Sequence, residues 1–251
     1  MRGQAHAARG RHALASRRLA EHLVREARVQ PGDLVVDLGA GAGALTAALA
    51  RAGARVIAVE LDGRDAALLR RRFTGDDRVE VAHGDATRFA WPRDPFAVVA
   101  NLPFARGGEI LGHLLDDPRV PLRRADLIVQ WELAAKRTAI WPSTLRSAYW
   151  GAWFELALVR RLPRCVFAPP PSVDAAVFRA VRRADPLLPE RDARTYFSFL
   201  RRAFDANAPL RRSVPPRLLK RLGTELGFSA DASARDLDAR QLTALFGSLR
   251  A

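Results

Sequence analysis

The tightest constraint on this chain is a glycine turn set between a strand and a helix: Leu34-Val-Val-Asp-Leu38 runs into Gly39-Ala-Gly41-Ala-Gly43, and a helical stretch opens at Ala44. Glycine tolerates positive φ and carries no Cβ, so such a turn folds back tightly and lets the backbone approach a ligand closely. From Asp33 onward, short apolar runs alternate with amphipathic stretches, the pattern of a parallel sheet covered by helices. Strands are predicted over Leu34–Leu38, Arg55–Val59, Val79–Ala82, Ala97–Ala100, Asp126–Gln130, Phe154–Val159 and Ala175–Val181. Helices are predicted over 16–28, 44–51, 64–73 and 108–115, with Asp62 near the start of the third as a cap. After Arg183 the string Ala184-Asp-Pro-Leu-Leu-Pro189 reads as a linker. Three helical stretches without strands follow it, at roughly 191–204, 216–226 and 236–249. The expectation is an α/β body over residues 1–183 and a small all-helical domain over 184–251.

A glycine turn alone also occurs as a purely structural feature and in other nucleotide sites, so the residues that accompany it decide its meaning. Glu60 closes the second strand, 21 residues beyond Gly39, where a carboxylate can accept both hydroxyls of a ribose. His83-Gly84-Asp85-Ala86 follows the third strand, and Asp85 there can accept a bond from the exocyclic amine of adenine, although an aspartate capping a turn has the same appearance. The glycine spacing departs from the dinucleotide fingerprint. An adenosine without a pyrophosphate cradle points to S-adenosylmethionine rather than NAD.

About sixty residues after the glycine turn, Asn101-Leu102-Pro103-Phe104 ends an apolar run. An amide oxygen and the Leu102 or Pro103 carbonyl, set beside an aromatic ring, can hold a planar NH2 group by its two protons while the ring stacks on the base that carries it. Phe167 is a candidate for the other face of that base. The chemistry this suggests is methyl transfer to an amino group on a flat base.

Charge names the partner. The net charge is +14, but residues 34–159 carry only +1, while 1–33 carry +4, 160–183 carry +5 and 184–251 carry +4. A nearly neutral catalytic body flanked by positive segments suits a polyanion. All but two of the basic residues are Arg, whose planar fork grips phosphate. The base composition of a GC-rich genome explains that preference as well, but not the segregation of charge. Arg160, Arg161 and Arg164 precede the Phe167 loop, and Arg201, Arg202, Arg211 and Arg212 sit in a C-terminal cluster as candidate RNA contacts.

Cys165 is the single cysteine, which excludes an internal disulfide and favours a reducing, cytoplasmic setting. The five histidines show no metal-ligand spacing, so no metal is expected. Apolar content is 49% without an uninterrupted apolar run long enough to span a bilayer. The first twenty residues hold five Arg and no acid, which reads as a basic arm or, more weakly, as a mitochondrial presequence.

Taken together, these motifs resemble the rRNA adenine N6-methyltransferases, and within them the erythromycin-resistance (Erm) branch. Asp37-Leu-Gly-Ala-Gly-Ala-Gly-Ala-Leu-Thr46, Asn101-Leu-Pro-Phe104 and Phe167-Ala-Pro-Pro-Pro-Ser-Val-Asp174 carry the likeness, with Ile128-Val-Gln-Trp-Glu132 and Phe104 favouring the resistance branch. The resemblance implies a Rossmann-like class I methyltransferase sheet with a helical domain that helps hold RNA. It further implies S-adenosylmethionine as cofactor and, as target, one adenine of large-subunit (23S) rRNA, whose methylation confers macrolide, lincosamide and streptogramin B resistance. The substrate would be free rRNA before subunit assembly, and the enzyme a monomer. It places cofactor contacts at His12, Leu14, Gly39, Gly41, Glu60, Asp85, Ala86 and Asn101. The chain departs from the family at Arg11-His12-Ala13-Leu14, where relatives carry an aromatic at position 13; its loss is expected to remove buried area. The small-subunit dimethyladenosine transferases are the nearest alternative. A nucleic-acid-binding protein on a retired methyltransferase fold is a further one.

Overall fold

The computed structural model describes residues 12–205 and 210–250. A two-residue strand β1 (Ala13–Leu14) precedes helix α1 (Arg17–Glu26), whose first turn is capped by the Ser16 hydroxyl accepting the Leu19 N–H. Then come β2 (Leu34–Leu38), α2 (Ala44–Arg51), β3 (Arg55–Glu60), α3 (Gly63–Arg72), β4 (Val79–His83) and β5 (Phe96–Asn101). A 3-10 turn at Phe104–Arg106 leads into α4 (Gly107–Leu115), β6 (Leu122–Gln130), α5 (Trp131–Thr138), α6 (Leu145–Trp150), β7 (Phe154–Leu162), β8 (Phe167–Ala168) and β9 (Ala175–Arg182). The C-terminal helices are α7 (Ala193–Ala203), α8 (Leu210–Ser213), α9 (Pro216–Leu226) and α10 (Ala239–Ser248).

All seven predicted strands form, in the order β4-β3-β2-β5-β6-β9-β7. β4, β3, β2, β5 and β6 run parallel, but β9 lies antiparallel to β6, so the sheet is mixed rather than wholly parallel. The chain moves outward from β2 through β3 to β4, then crosses back to lay β5 on the other side of β2. That reversal positions the site described below.

Two helices between Trp131 and Trp150 escaped the sequence reading. Each is too short to show a periodic stripe, and Pro142 separates them. The two-stranded ladder of β1 with β8 was also unforeseen; it pairs Ala13 with Ala168 and Leu14 with Phe167.

The chain packs as two units. The first comprises residues up to Leu115, Val120–Ala134 and Ala157–Val181, and the second Asp116–Arg119, Ala135–Leu156 and Arg182 onward. A linear boundary at 183/184 therefore understates the second unit, which also draws on two earlier segments. In the first unit, Ala20, Leu23 and Val24 of α1 pack with Val35, Leu45, Leu49, Val56 and Val99. The C-terminus of α1 is held by an ion cluster. Arg124 and Arg179 both grip Asp126, which is 4% exposed, and each donates to the Glu26 carbonyl at 2.9 and 3.0 Å. Cations at a helix C-terminus meet its unpaired carbonyls and its dipole favourably.

The second unit is built on aromatic rings. Tyr149 and Trp153 meet edge to face at 5.1 Å, and Tyr196 contacts Phe199 and Phe246. Buried indoles need a partner for their N–H. Trp153 Nε1 donates to the Leu188 carbonyl at 2.9 Å and Trp150 Nε1 to Asp116 Oδ1 at 2.7 Å. Trp153→Ala is expected to lower the unfolding free energy by about 3–5 kcal/mol, since it leaves both a cavity and an unpaired carbonyl; urea denaturation checks this.

Candidate active site

Where strand order reverses around β2, the loops beyond the parallel strands part and a ligand crevice opens at their carboxyl ends. Here the crevice is a cavity of about 670 Å³. It is lined by every residue carried over as a cofactor contact: His12, Leu14, Gly39, Gly41, Glu60, Asp85, Ala86 and Asn101. Leu102 and Pro103 line it as well.

The glycine turn forms one wall. Gly39, Gly41 and Gly43 all have positive φ, at 71°, 54° and 78°. The Gly39 and Ala40 N–H groups both donate to the Val59 carbonyl, which bends the turn against the end of β3. Gly43 is required by packing, because a Cβ there would sit 2.7 Å from Leu69 Cδ2 on α3. Gly41 has no such neighbour, the nearest atom being the Gly39 carbonyl oxygen at 3.8 Å, and it faces the cavity.

Beneath the turn, Asp37 Oδ2 accepts the Thr46 hydroxyl at 2.7 Å. Both residues are buried. Burial pushes the Asp37 carboxyl up to about 7, a rise that Thr46 opposes with hydroxyl and backbone bonds and that the nearby Glu60 charge reinforces. Glu60, at the tip of β3, receives the Gly41 N–H at 2.9 Å on Oε2 and the Asp62 N–H at 2.8 Å on Oε1. Asp85 Oδ1 accepts both the backbone N–H and the hydroxyl of Thr87, at 2.9 and 2.8 Å. The Thr87 N–H leads in holding the Asp85 carboxyl below the usual carboxylate range, with help from the Thr87 hydroxyl and Arg106.

Charge makes this cavity distinctive. Asp37, Glu60, Asp62, Asp65 and Asp85 line it against one guanidinium, that of Arg106, although the whole chain is strongly positive. Such a lining suits a cationic sulfonium and repels a pyrophosphate. The donor set and the glycine cradle fit S-adenosylmethionine. Sequence reading missed Asp37, Asp62, Asp65 and Arg106 as cavity residues; Asp37 was legible as the acid opening the glycine turn.

At the end of β5, Asn101 Nδ2 donates to the His12 carbonyl at 2.7 Å. This bond fixes the amide's orientation and leaves Oδ1 buried without a partner among the described residues. The Pro103 carbonyl accepts the Arg106 N–H at 2.9 Å. Of the two backbone acceptors considered, Leu102 is therefore the one left to a ligand.

The N-terminal strap is well anchored. His12 Nδ1 lies 2.9 Å from the Pro169 carbonyl oxygen, and β1 pairs with β8. Ala13 is exposed and lines the cavity. The Ala13 side chain thus belongs to the pocket lining and not to the buried core. Arg11 lies outside the described residues.

The packing places the remaining candidate residues. Phe104 and Phe167 do not line the cavity: they are 8% and 2% exposed and meet edge to face with ring centres 6.0 Å apart. The basic residues before Phe167 already hold partners. Arg160 approaches His22 and Glu26, Arg161 is paired with Asp174, and Arg164 reaches the Ser172 carbonyl and Asp174. Arg201, Arg202 and Arg211 are exposed, while the side chain of Arg212 lies outside the description.

The family model for ribosomal RNA adenine dimethylases matches residues 3–218. This chain belongs to that family. It is accordingly an S-adenosylmethionine-dependent rRNA adenine-N6 methyltransferase. An rRNA methyltransferase of Streptomyces thermotolerans is 37% identical to it over 83% of this chain and 71% of its own length. The mycinamicin-resistance protein MyrB of Micromonospora griseorubida is 35% identical over 84% of this chain and 68% of its own. The crystal structure of the 23S rRNA methyltransferase ErmE aligns with a TM-score of 0.83 and 28% identity, covering 95% of this methyltransferase and 100% of the ErmE chain. Among the described residues no group of three or more metal-ligating side chains occurs, and no helix is long and apolar enough to cross a membrane.

Two glycines of the turn in this methyltransferase, one packed against α3 and one lining the cavity, separate experimentally. Gly43→Ala should cost about 1–3 kcal/mol of stability through strain and overpacking, whereas Gly41→Ala should weaken cofactor binding about tenfold with less loss of stability; urea denaturation and calorimetric titration read the two effects. The raised Asp37 carboxyl gives a pH signature. The folded state holds this proton more tightly than the unfolded state, so the contribution of Asp37 to stability is full below about pH 4 and is lost as pH rises through about 7. Asp37→Asn should remove that loss, so its stability relative to wild type should climb between those values, by an amount on the order of a few kcal/mol, and then level off. Unfolding midpoints against pH check the sign.

Proposed function

We propose that this methyltransferase modifies the N6 amine of one adenine in 23S rRNA and thereby confers resistance to macrolide, lincosamide and streptogramin B antibiotics. The observation that carries the mechanism is the Asn101 amide at the cavity wall, its Nδ2 held by the His12 carbonyl and its buried Oδ1 without a partner among the described residues. An aromatic amine is a poor nucleophile because its lone pair is delocalised into the ring. Asn101 Oδ1 and the Leu102 carbonyl accept its two N–H bonds, which turns the lone pair out of the ring plane. S-adenosylmethionine supplies the methyl group as the electrophile. The carboxylate-lined cavity holds that cation, and Asn101 and Leu102 hold the amine in line with it, so catalysis is positioning and electrostatics. The proton leaves after transfer, when the nitrogen is cationic and acidic, and a strong base is not required.

Phe104 and Phe167 flank the base once it enters, which requires them to part from the contact they make with each other. The first unit carries the cofactor and the second, helical unit holds RNA through Arg201, Arg202, Arg211 and Arg212. Arg161 and Arg164 add exposed charge beside the Phe167 loop, and Arg160 is half-buried. The enzyme acts as a cytoplasmic monomer on free rRNA before subunit assembly. The resistance relatives and the ErmE fold favour the large-subunit target.

Transfer of labelled methyl from S-adenosylmethionine to protein-free large-subunit and small-subunit rRNA, followed by mapping, is the test. Label at a single large-subunit adenine is expected; label confined to the small subunit overturns the target. Asn101→Ala should lower kcat by roughly 10²–10³ while RNA affinity stays within about twofold. Equal losses in both would contradict the role given to Oδ1.

A further inference from the structure

A second, smaller hollow of about 200 Å³ lies in the first unit, lined by Gln130, Trp131, Glu132, Arg161, Val173 and Asp174. Trp131 is 37% exposed, an unusual position for a large ring in this chain, and the Arg161 guanidinium lies over its face at 5.3 Å. Arg161 is itself pinned by Asp174, with Nε 2.9 Å from Oδ2. The Trp131 backbone N–H donates to the Asp174 backbone carbonyl at 2.9 Å, which ties the start of α5 to the residue whose carboxylate pins Arg161.

Its place in the fold relates it to the reacting amine. β5 and β6 are parallel neighbours with Asn101 in register with Ile128, and Gln130 ends β6 two residues further on. Strand spacing and rise put the start of this surface about 8 Å from the Asn101 backbone. The loop carrying Phe167 ends on Asp174. A nucleotide one or two positions from the target adenine therefore falls here.

The charge balance selects the occupant. Asp174 and Glu132 offset Arg161 and Arg164, leaving no net positive charge to hold a phosphate, while a flat neutral ring stacks on Trp131 and Arg161. Gln130 and Glu132 place acceptors at the rim for an exocyclic amine. We propose that Trp131 and Arg161 form a stacking platform for one unpaired, amine-bearing base next to the target adenine, and that this platform sets which loop sequence is accepted. The proposal rests on the RNA-methylation reading and extends it to the choice of flanking sequence.

The test uses a protein-free RNA hairpin with the methylated adenine in its loop, together with variants carrying an abasic site at each neighbouring position. Affinity is read by filter binding and turnover by labelled methyl transfer on the same RNAs. Trp131→Ala should weaken hairpin affinity about tenfold and raise the KM for RNA with kcat unchanged, while Trp131→Phe retains a stacking face and most of the affinity. At one loop position the abasic site should cost the wild type the same tenfold and cost Trp131→Ala nothing further. Cofactor affinity, unchanged in Trp131→Ala, separates this from a folding defect. Abasic penalties that are the same in wild type and Trp131→Ala at every position would overturn the platform, as would affinity within twofold of wild type. Wild-type protein that shows the coupling but transfers no methyl would overturn the methylation reading and leave the platform standing.

Discussion

A single hydrogen bond, from Asn101 Nδ2 to the His12 carbonyl, fixes how the Asn101 amide sits at the cavity wall. The rest of the site follows from that choice. The donor is consumed by a segment far away in sequence, and the acceptor is left buried without a partner among the described residues. That segment is in turn held by the β1–β8 ladder and by the contact of His12 with Pro169. Cofactor wall, amine acceptor and aromatic loop are thus tied to one short strap. A buried acceptor without a partner is costly in a folded protein, and on the proposed mechanism that cost is met when the substrate amine donates to it.

A second cost lies beneath the glycine turn. Asp37 is buried beside Glu60, and its carboxyl is pushed toward neutrality. A cation in the cavity favours the ionised form of that carboxyl, so ligand binding and fold stability are linked through one group. The concentration of carboxylates in this cavity, inside a chain of strong positive charge, separates the two ligands by electrostatics: sulfonium cofactor within, polyanionic RNA without.

The sheet and most of the cavity were legible from sequence because they depend on local signals. Apolar runs marked the seven strands, and the acid at the end of each early strand marked Glu60 and Asp85. What was not legible depended on contacts distant along the chain. At Ala13 the sequence showed only a lost aromatic, whereas the pairing with Ala168 and the place of Ala13 in the cavity lining depend on tertiary structure. Arg160, Arg161 and Arg164 looked like free charges, yet Glu26, His22 and Asp174 reach them through tertiary structure. The second unit was misjudged for the same reason. Trp150 and Trp153 belong with Tyr196, Phe199 and Phe246, but the 157–181 segment interrupts them in sequence and hides the association.

The closed contact between Phe104 and Phe167 bears on selectivity before any atom of substrate is recognised. If the rings occupy each other's space at rest, the competent state is a minor one, and every incoming base binds with its intrinsic affinity reduced by the fraction of protein that is open. An adenine held in a duplex must add its own unstacking and unpairing to that cost, whereas one already extruded from a loop does not. On the role proposed for these rings, their resting contact sets a threshold that paired adenines fail, and it filters RNA by secondary structure without reading a single base.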